Sequence, residues 1–190
     1  ATSYTYNRTN TNDKVSVSAT KTGHTGTVSV DKGSLSGTTL DITNCTGTIT
    51  VTWTWTANTY TTTFNSNSGT FSSTQPTGIT YVDTSKCTKN ITYGQQVGTL
   101  PNDPTRSGYT FVGWFSTNQT SGGVQFTTTT NFYFTNVSTI YARWTANTYT
   151  VTLDQQGGSG GTSSVTATYG SAMLKAAVPA DDIYDKTPEV

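Results

Sequence analysis

The sequence predicts an all-β fold with little or no helix, divided into tandem small β modules. Threonine makes up about a quarter of the 190 residues, and its β-branched side chain favours an extended, pleated backbone. Strong helix formers are scarce, since glutamate and methionine each occur once, and no window sustains an apolar period of about 3.6 residues. Apolar residues instead alternate with threonine between Gly-rich and Asn-rich turns, which indicates half-buried strands.

The composition excludes several classes of partner. Ten Lys and Arg residues balance ten Asp and Glu residues, so no long-range field attracts the chain to nucleic acid or to an anionic membrane. No apolar run reaches the ~18 residues of a membrane span, and we expect no membrane insertion within this segment. The 11 Tyr, 7 Phe and 4 Trp residues suffice for small aromatic-rich cores, because each ring buries a large area.

An internal repeat divides the chain. Residues Trp55–Thr61, with the sequence WTANTYT, recur without change at Trp144–Thr150, a shift of 89 positions. Apolar residues alternate with threonine before the first copy, as ITVTWTW at residues 49–55, and after the second copy, as YTVTL at residues 149–153. Each copy therefore joins the closing strand of one module to the opening strand of the next.

The residues between the two copies carry longer motifs. These are YTTTF at Tyr60–Phe64, TYG at Thr92–Gly94, LP at Leu100–Pro101, DPTRSGYTFVGW at Asp103–Trp114 and IYARW at Ile140–Trp144. With these motifs the segment resembles the internalin-type B repeat, also called the Listeria–Bacteroides repeat. The resemblance implies a small β-grasp-like module without catalytic residues, strung in tandem on secreted or wall-attached microbial proteins that have adhesive or spacer roles.

The repeat and the resemblance together predict three segments. Residues 57–145 form a complete repeat with an insertion near 75–89, where the family pattern has a loop. Residues 146–190 form an incomplete second repeat that ends in an acidic tail. Residues 1–56 match the family only at their end, and their short strands between Gly-rich turns predict a divergent or β-sandwich-like module.

The chemistry-bearing residues do not predict a catalytic or metal site. His24 is the one histidine, and in its TGHTG context we interpret it as a solvent-exposed turn residue rather than as part of a triad or metal site. The acidic cluster Asp181, Asp182, Asp185 and Glu189 lacks the spacing of a calcium loop and is interpreted as a solvated tail. We therefore expect no catalytic residues, no metal, no cofactor and no enzyme activity.

Two further features bear on the compartment. Cys45 and Cys87 are the only cysteines, and the low-charge surface favours an oxidising compartment, so a Cys45–Cys87 disulfide is predicted, with two buried free thiols as the alternative. In a glycosylating cell, each N-x-[ST] sequon would carry a glycan on a surface loop. The five candidate N-glycosylation sites are Asn7, Asn44, Asn90, Asn118 and Asn136.

The four tryptophans, at positions 53, 55, 114 and 144, admit two interpretations. Exposed indole rings stack on sugars in carbohydrate-binding faces, whereas buried rings build cores. Three of the four alternate in phase with apolar strand neighbours, which favours the core.

We expect this chain to be a non-catalytic extracellular segment of a cell-surface or secreted protein, acting as a structural spacer or adhesin. The expected partners are neighbouring repeats or copies of itself, and host or matrix glycans or proteins. A filament or pilus-like fibre assembled by β-strand exchange is an alternative, because an incomplete repeat exposes an unpaired sheet edge. A carbohydrate-binding module of a secreted enzyme is another, and requires an exposed aromatic platform.

Overall fold

A computed structural model describes residues 2–5, 14–135, 139–154 and 156–172. Within these ranges the chain forms fourteen strands and no helix, which confirms the predicted all-β class. The strands are β1 (Thr2–Thr5), β2 (Lys14–Ser16), β3 (His24–Val30), β4 (Ser34–Ser36), β5 (Thr39–Asp41), β6 (Thr48–Ala57), β7 (Thr59–Asn65), β8 (Thr80–Asp83), β9 (Lys86–Thr92), β10 (Tyr109–Phe115), β11 (Gln125–Phe126), β12 (Thr139–Ala146), β13 (Thr148–Thr152) and β14 (Ser164–Thr168).

Two three-stranded antiparallel sheets, β1-β6-β3 and β2-β5-β4, form the first part of the chain. The alternation of threonine with apolar residues in β6 places Ile49 and Val51 on the inner face. These two side chains pack with Val17, Leu40 and Ile42 in one apolar cluster to which both sheets contribute. A sandwich-like arrangement results, because each sheet has one apolar face to bury.

The central sheet contains six strands in the order β11-β10-β12-β7-β9-β8. Strands β7 and β12 pair in parallel at its centre, with Thr63–Asn65 alongside Thr139–Tyr141. The four remaining pairings are antiparallel. The first and last strands of this module are thus neighbours in a mixed sheet, in the β-grasp-like manner that the resemblance implied.

The core of the central module is aromatic. Phe64 and Phe71 contact Trp114 with ring centroids 5.1 and 5.7 Å apart. A β-bulge in β10 between Phe111 and Gly113 brings Phe111 to the same side as Trp114, with centroids 5.3 Å apart. Residues three apart in a regular strand face opposite sides, so the bulge is what allows both rings to enter the core.

The second copy of the repeated segment opens a separate hairpin, β13–β14, in which Thr148 lies opposite Thr168. The central module begins in the same register, with Thr59 opposite Thr92 in the pair β7–β9. The two hairpins differ in burial, since Tyr149 is 50% exposed while the corresponding tyrosine of β7 packs against the central core.

The insertion near residues 75–89 is not the loop that the family pattern predicts. Strand β8 and most of β9 lie in this segment and extend the sheet at its edge. The turn between them is closed by the amide and hydroxyl of Ser85, which donate to Asp83 Oδ1 at 2.7 and 2.6 Å. Tyr81 packs against the central core and Cys87 belongs to it, so the segment has apolar side chains to bury and forms a hairpin.

The structure does not contain the predicted Cys45–Cys87 disulfide, and both cysteines are free in it. Cys87 is fully buried in the central core, opposite Phe64, whereas Cys45 packs against the cluster of the first module. Each thiol therefore fills a different core. Burial, together with the nearby charge of Asp83, raises the pKa of the Cys87 thiol to about 11, so it acts as a small apolar side chain.

Candidate functional site: two equivalent inter-module junctions

The two copies of WTANTYT form the joints between neighbouring sheets. A single residue, Asn58, separates β6 from β7, and a single residue, Asn147, separates β12 from β13. One residue spans at most about 3.6 Å. The chain between neighbouring sheets is therefore far shorter than a flexible linker.

At the first junction, Asn58 is held from both sides. Its amide donates to the carbonyl of Gly23 at 2.8 Å, and its carbonyl accepts from the amide of Tyr93 at 2.9 Å. Its side-chain oxygen accepts from the hydroxyl of Thr25 at 2.6 Å. The ring of Tyr93 meets that of His24 edge to face, with centroids 5.5 Å apart and planes at 72°. Strand β3 of the first sheet and the end of β9 in the central sheet are thereby connected through one asparagine.

At the second junction, the same contacts recur around Asn147. Its amide donates to the carbonyl of Gly108 at 2.9 Å, and its carbonyl accepts from the amide of Tyr169 at 2.9 Å. Its side-chain oxygen accepts from the hydroxyl of Thr110 at 2.7 Å. The ring of Tyr169 meets that of Tyr109 edge to face at 5.5 Å and 77°. Corresponding distances at the two junctions thus agree to within about 0.1 Å.

The glycine at each junction has a steric role. Gly23 and Gly108 have φ angles of +69° and +76°, a region that residues with a Cβ rarely adopt. A Cβ atom would also lie 2.2 Å from the ring of Tyr93 at the first site and 2.3 Å from that of Tyr169 at the second. Each tyrosine ring therefore packs directly against the glycine backbone, and any residue with a Cβ atom would displace the ring.

The sequence interpretation of His24 as a solvent-exposed turn residue is wrong. His24 is the first residue of β3 and is half-buried. Its Nδ1 lies 2.8 Å from the carbonyl of Thr22, and its ring takes the position that Tyr109 occupies at the second junction. The sequence does indicate that His24 and Tyr109 are equivalent. KTGHT at residues 21–25 and RSGYT at residues 106–110 share the order basic residue, hydroxyl residue, glycine, ring and threonine.

The tryptophans are only partly the core residues that the alternation predicts. Trp114 and Trp144 are 2% and 9% exposed in the central core. Trp53 and Trp55 are half-buried, and their rings stack on each other at 5.4 Å and 13°. A Cβ atom on Gly26 would come within 2.6 Å of the Trp55 ring, so faces of both rings are already occupied by the protein.

The candidate glycosylation sites fall into two groups. Asn44, Asn90 and Asn118 are exposed, and Asn44 lies in a turn with a φ angle of +66°. Asn7 and Asn136 lie outside the described residues, as do the four acidic residues of the predicted tail. Glycan attachment stays a prediction at all five positions.

The described ranges contain no cluster of three or more His, Cys, Asp or Glu side chains with the geometry of a metal site. Over the same ranges, no helix has the length and hydropathy that crossing a membrane requires. The groups that the fold brings together at the junctions are amides, hydroxyls and rings, including the imidazole of His24 at the first junction.

The central sheet, with its opening strand β7 and closing strand β12, is the part of the chain that carries the resemblance. Residues 60–143 match the Listeria-Bacteroides repeat domain. The match confirms the resemblance and runs from the second residue of β7 into β12, so this repeat coincides with the six-stranded sheet. The repeat family occurs in bacterial surface proteins, which indicates a cell-surface repeat protein. No solved structure matches the chain.

Proposed function

We propose that this chain is a non-catalytic, extracellular segment of a bacterial surface protein that acts as a spacer with its modules in a fixed relative orientation. The observation that supports the proposal is the junction, which occurs twice with the same contacts. In repeat proteins each module contacts only its neighbours, so the geometry of one junction determines the path of the whole array.

Several contacts hold the first junction together. Asn58 connects Gly23, which precedes β3, to Tyr93, which follows β9, through two backbone hydrogen bonds, and the ring of Tyr93 also contacts Gly23. A net hydrogen bond contributes about 1 kcal/mol and an aromatic pair about 1 kcal/mol. Several such contacts acting together make an open, freely rotating joint a minor state.

The experiment measures residual dipolar couplings by NMR on the full chain. Modules with a fixed orientation report one common alignment tensor, and modules on a flexible joint report two. We expect one tensor for residues 14–57 and 59–145 in the unmodified protein. The double variant Asn58→Ala, Tyr93→Ala should give two different tensors, because it removes the Thr25 hydrogen bond and the ring on Gly23.

The matched control is Thr27→Val, which alters an exposed threonine on the same strand, two residues beyond Thr25. Thr27 has no part in the junction contacts, so this variant should keep a single tensor. Independent tensors in the unmodified protein would refute a spacer of fixed orientation, and a single tensor in the double variant would show that these contacts do not set the angle.

A filament built by β-strand exchange is a second candidate, and the exposure of hairpin β13–β14 favours it. Tyr149 is 50% exposed, and Val151 on the same face is half-buried. Negative-stain electron microscopy at rising protein concentration tests this candidate. Regular fibres that disappear in Tyr149→Glu would support exchange, and monodisperse particles at every concentration would exclude it.

A further inference from the structure

A cleft of about 200 Å³ lies in the central module beside the second junction. The two arginines of the described residues, Arg106 and Arg143, both line it. Its other walls come from neutral polar side chains and the rings of Tyr109 and Trp144, with no acidic side chain among them. Two positive charges therefore lie close together, without a lining carboxylate, in a chain whose formal net charge is zero.

Arg106 presents its guanidinium group ready for a ligand. The group stacks over the ring of Tyr109, with its central carbon 3.8 Å from the centroid. Within the described residues no carboxylate or carbonyl accepts a hydrogen bond from it. Stacking fixes the plane of the guanidinium while its N–H donors stay free, which is the arrangement that binds a carboxylate through two parallel hydrogen bonds.

Arg143 instead builds the wall of the cleft. Its guanidinium stacks over Phe115 at 3.5 Å and donates to the carbonyls of Gln119 and Gly122. Asn67 secures the same loop by donating to the carbonyl of Asn118 at 3.4 Å. The loop is thus held in place before any ligand arrives, and this lowers the entropic cost of binding.

We propose that this cleft binds the carboxylate group of an acidic saccharide unit, such as a uronic acid. Arg106 pairs with the carboxylate, and Arg143 adds positive charge behind it. Asn118 and Thr120 line the same cleft, and an amide and a hydroxyl side chain can supply donors and acceptors for ring hydroxyls. The proposal goes beyond the spacer role, because a fixed array of modules does not by itself require a ligand.

The size and the walls of the cleft favour a single sugar ring. A volume of about 200 Å³ is below the roughly 300–1,000 Å³ of sites for drug-sized ligands. Its walls offer charge and hydrogen bonds rather than a broad apolar surface. A single such site is weak, with a dissociation constant on the order of millimolar, and sites on successive modules gain strength through multivalency.

The first junction provides a matched control within the same chain. There Lys21 occupies the position of Arg106, and Thr54 occupies that of Arg143, if the two copies of the repeated segment are superposed. Both differences remove the planar guanidinium. Substitution of Lys21 should therefore leave the binding of an acidic sugar unchanged.

The test is an NMR titration of the full chain, expressed without glycosylation, with methyl glucuronide and with methyl glucoside, which differ in the carboxylate alone. We expect saturable shifts at Arg106, Asn118 and Thr120 with the glucuronide, and about tenfold weaker binding of the glucoside. Arg106→Gln should weaken glucuronide binding by about tenfold, Arg106→Lys by less, and Lys21→Gln not at all.

Three outcomes would overturn the proposal. The first is the absence of saturable shifts up to about 50 mM glucuronide. The second is equal affinity for the two sugars, or unchanged affinity in Arg106→Gln. The third is tighter binding of an oligoglutamate peptide than of an oligoglucuronide of equal length, which would identify an acidic protein surface as the partner. None of these outcomes depends on whether the modules keep a fixed orientation.

Discussion

The first sheet and the central sheet end in the same way but bury their closing strands differently. In both, an antiparallel pair leads into an identical WTANTYT segment, β3 with β6 in one and β10 with β12 in the other. Trp144 in the central copy is 9% exposed, whereas Trp55 in the first copy is half-buried. Identical local sequence therefore determines the junction but not the burial of the tryptophan that precedes it.

The difference in tryptophan burial arises from the strand that pairs with the other edge of the closing strand. In the central sheet, β12 pairs in parallel with β7, and the turn after β7 reaches over Trp144. The indole Nε1 donates to the carbonyl of Ser66 at 3.0 Å, and a Cβ atom on Gly69 would lie 2.5 Å from the ring. In the first sheet, β6 pairs with β1 in antiparallel orientation instead. A tryptophan is thus buried by a turn that belongs to the opening hairpin of its own module.

The largest expected effect is a difference in stability between variants of the two tryptophans. Trp144→Ala should lower the free energy of unfolding of the central module by about 3–5 kcal/mol, because it leaves a cavity and an unpaired carbonyl. Trp55→Ala should cost the first module about half as much, since less of its ring is removed from solvent. Urea titrations followed by NMR signals from each module measure both values. Equal losses would contradict the difference in burial.

A smaller and equal effect is expected at the two junction glycines. Gly23→Ala and Gly108→Ala should each destabilise by about 2–3 kcal/mol, because a Cβ both strains the positive φ angle and displaces a tyrosine ring. Gly37→Ala is the control, since Gly37 has a φ angle of +60° with no atom within 4 Å of the added Cβ. That control should lose only about 1–2 kcal/mol. If all three lost the same amount, the tyrosine ring would have no energetic role.

The smallest expected effect is a loss of stability at low pH. Hydrogen bonds from Thr50 to Asp31 and from Thr43 to Asp41 lower the pKa of both aspartates in the first module, and hydrogen bonds from Ser85 do the same for Asp83 in the central one. A carboxylate with a lowered folded-state pKa stabilises the protein above its unfolded pKa, and this stabilisation disappears as the pH falls through the folded value.

The first module should therefore lose more stability than the central module as the pH falls below the ordinary aspartate value of 3.8. Urea midpoints of both modules at about pH 6 and about pH 3 measure the loss. Asp31→Asn, which keeps an oxygen acceptor without the charge, should make the first module less sensitive to acid. A steeper loss in the central module would be inconsistent with these hydrogen bonds as the main cause.

Much of the fold follows from the period-two pattern, but individual positions do not. Alternation with apolar residues predicts an outward-facing threonine in each strand, yet Thr62 is fully buried. The period-two pattern also does not reveal the bulge between Phe111 and Gly113, because a bulge shifts the register of one strand against a partner far away in the chain. The interpretation of His24 rested on its local TGHTG context alone, whereas its ring partner Tyr93 is 69 residues distant.

The sequence by itself determined the all-β class, the repeat and the position of both junctions, since these depend on local propensity and on a repeated string of residues. Only the tertiary structure decided that Cys45 and Cys87 lie in separate cores and that Arg106 and Arg143 meet in one cleft. The physical reason is that strand pairing brings together residues far apart in the chain, and the geometry of their side chains exists only once the sheets have formed.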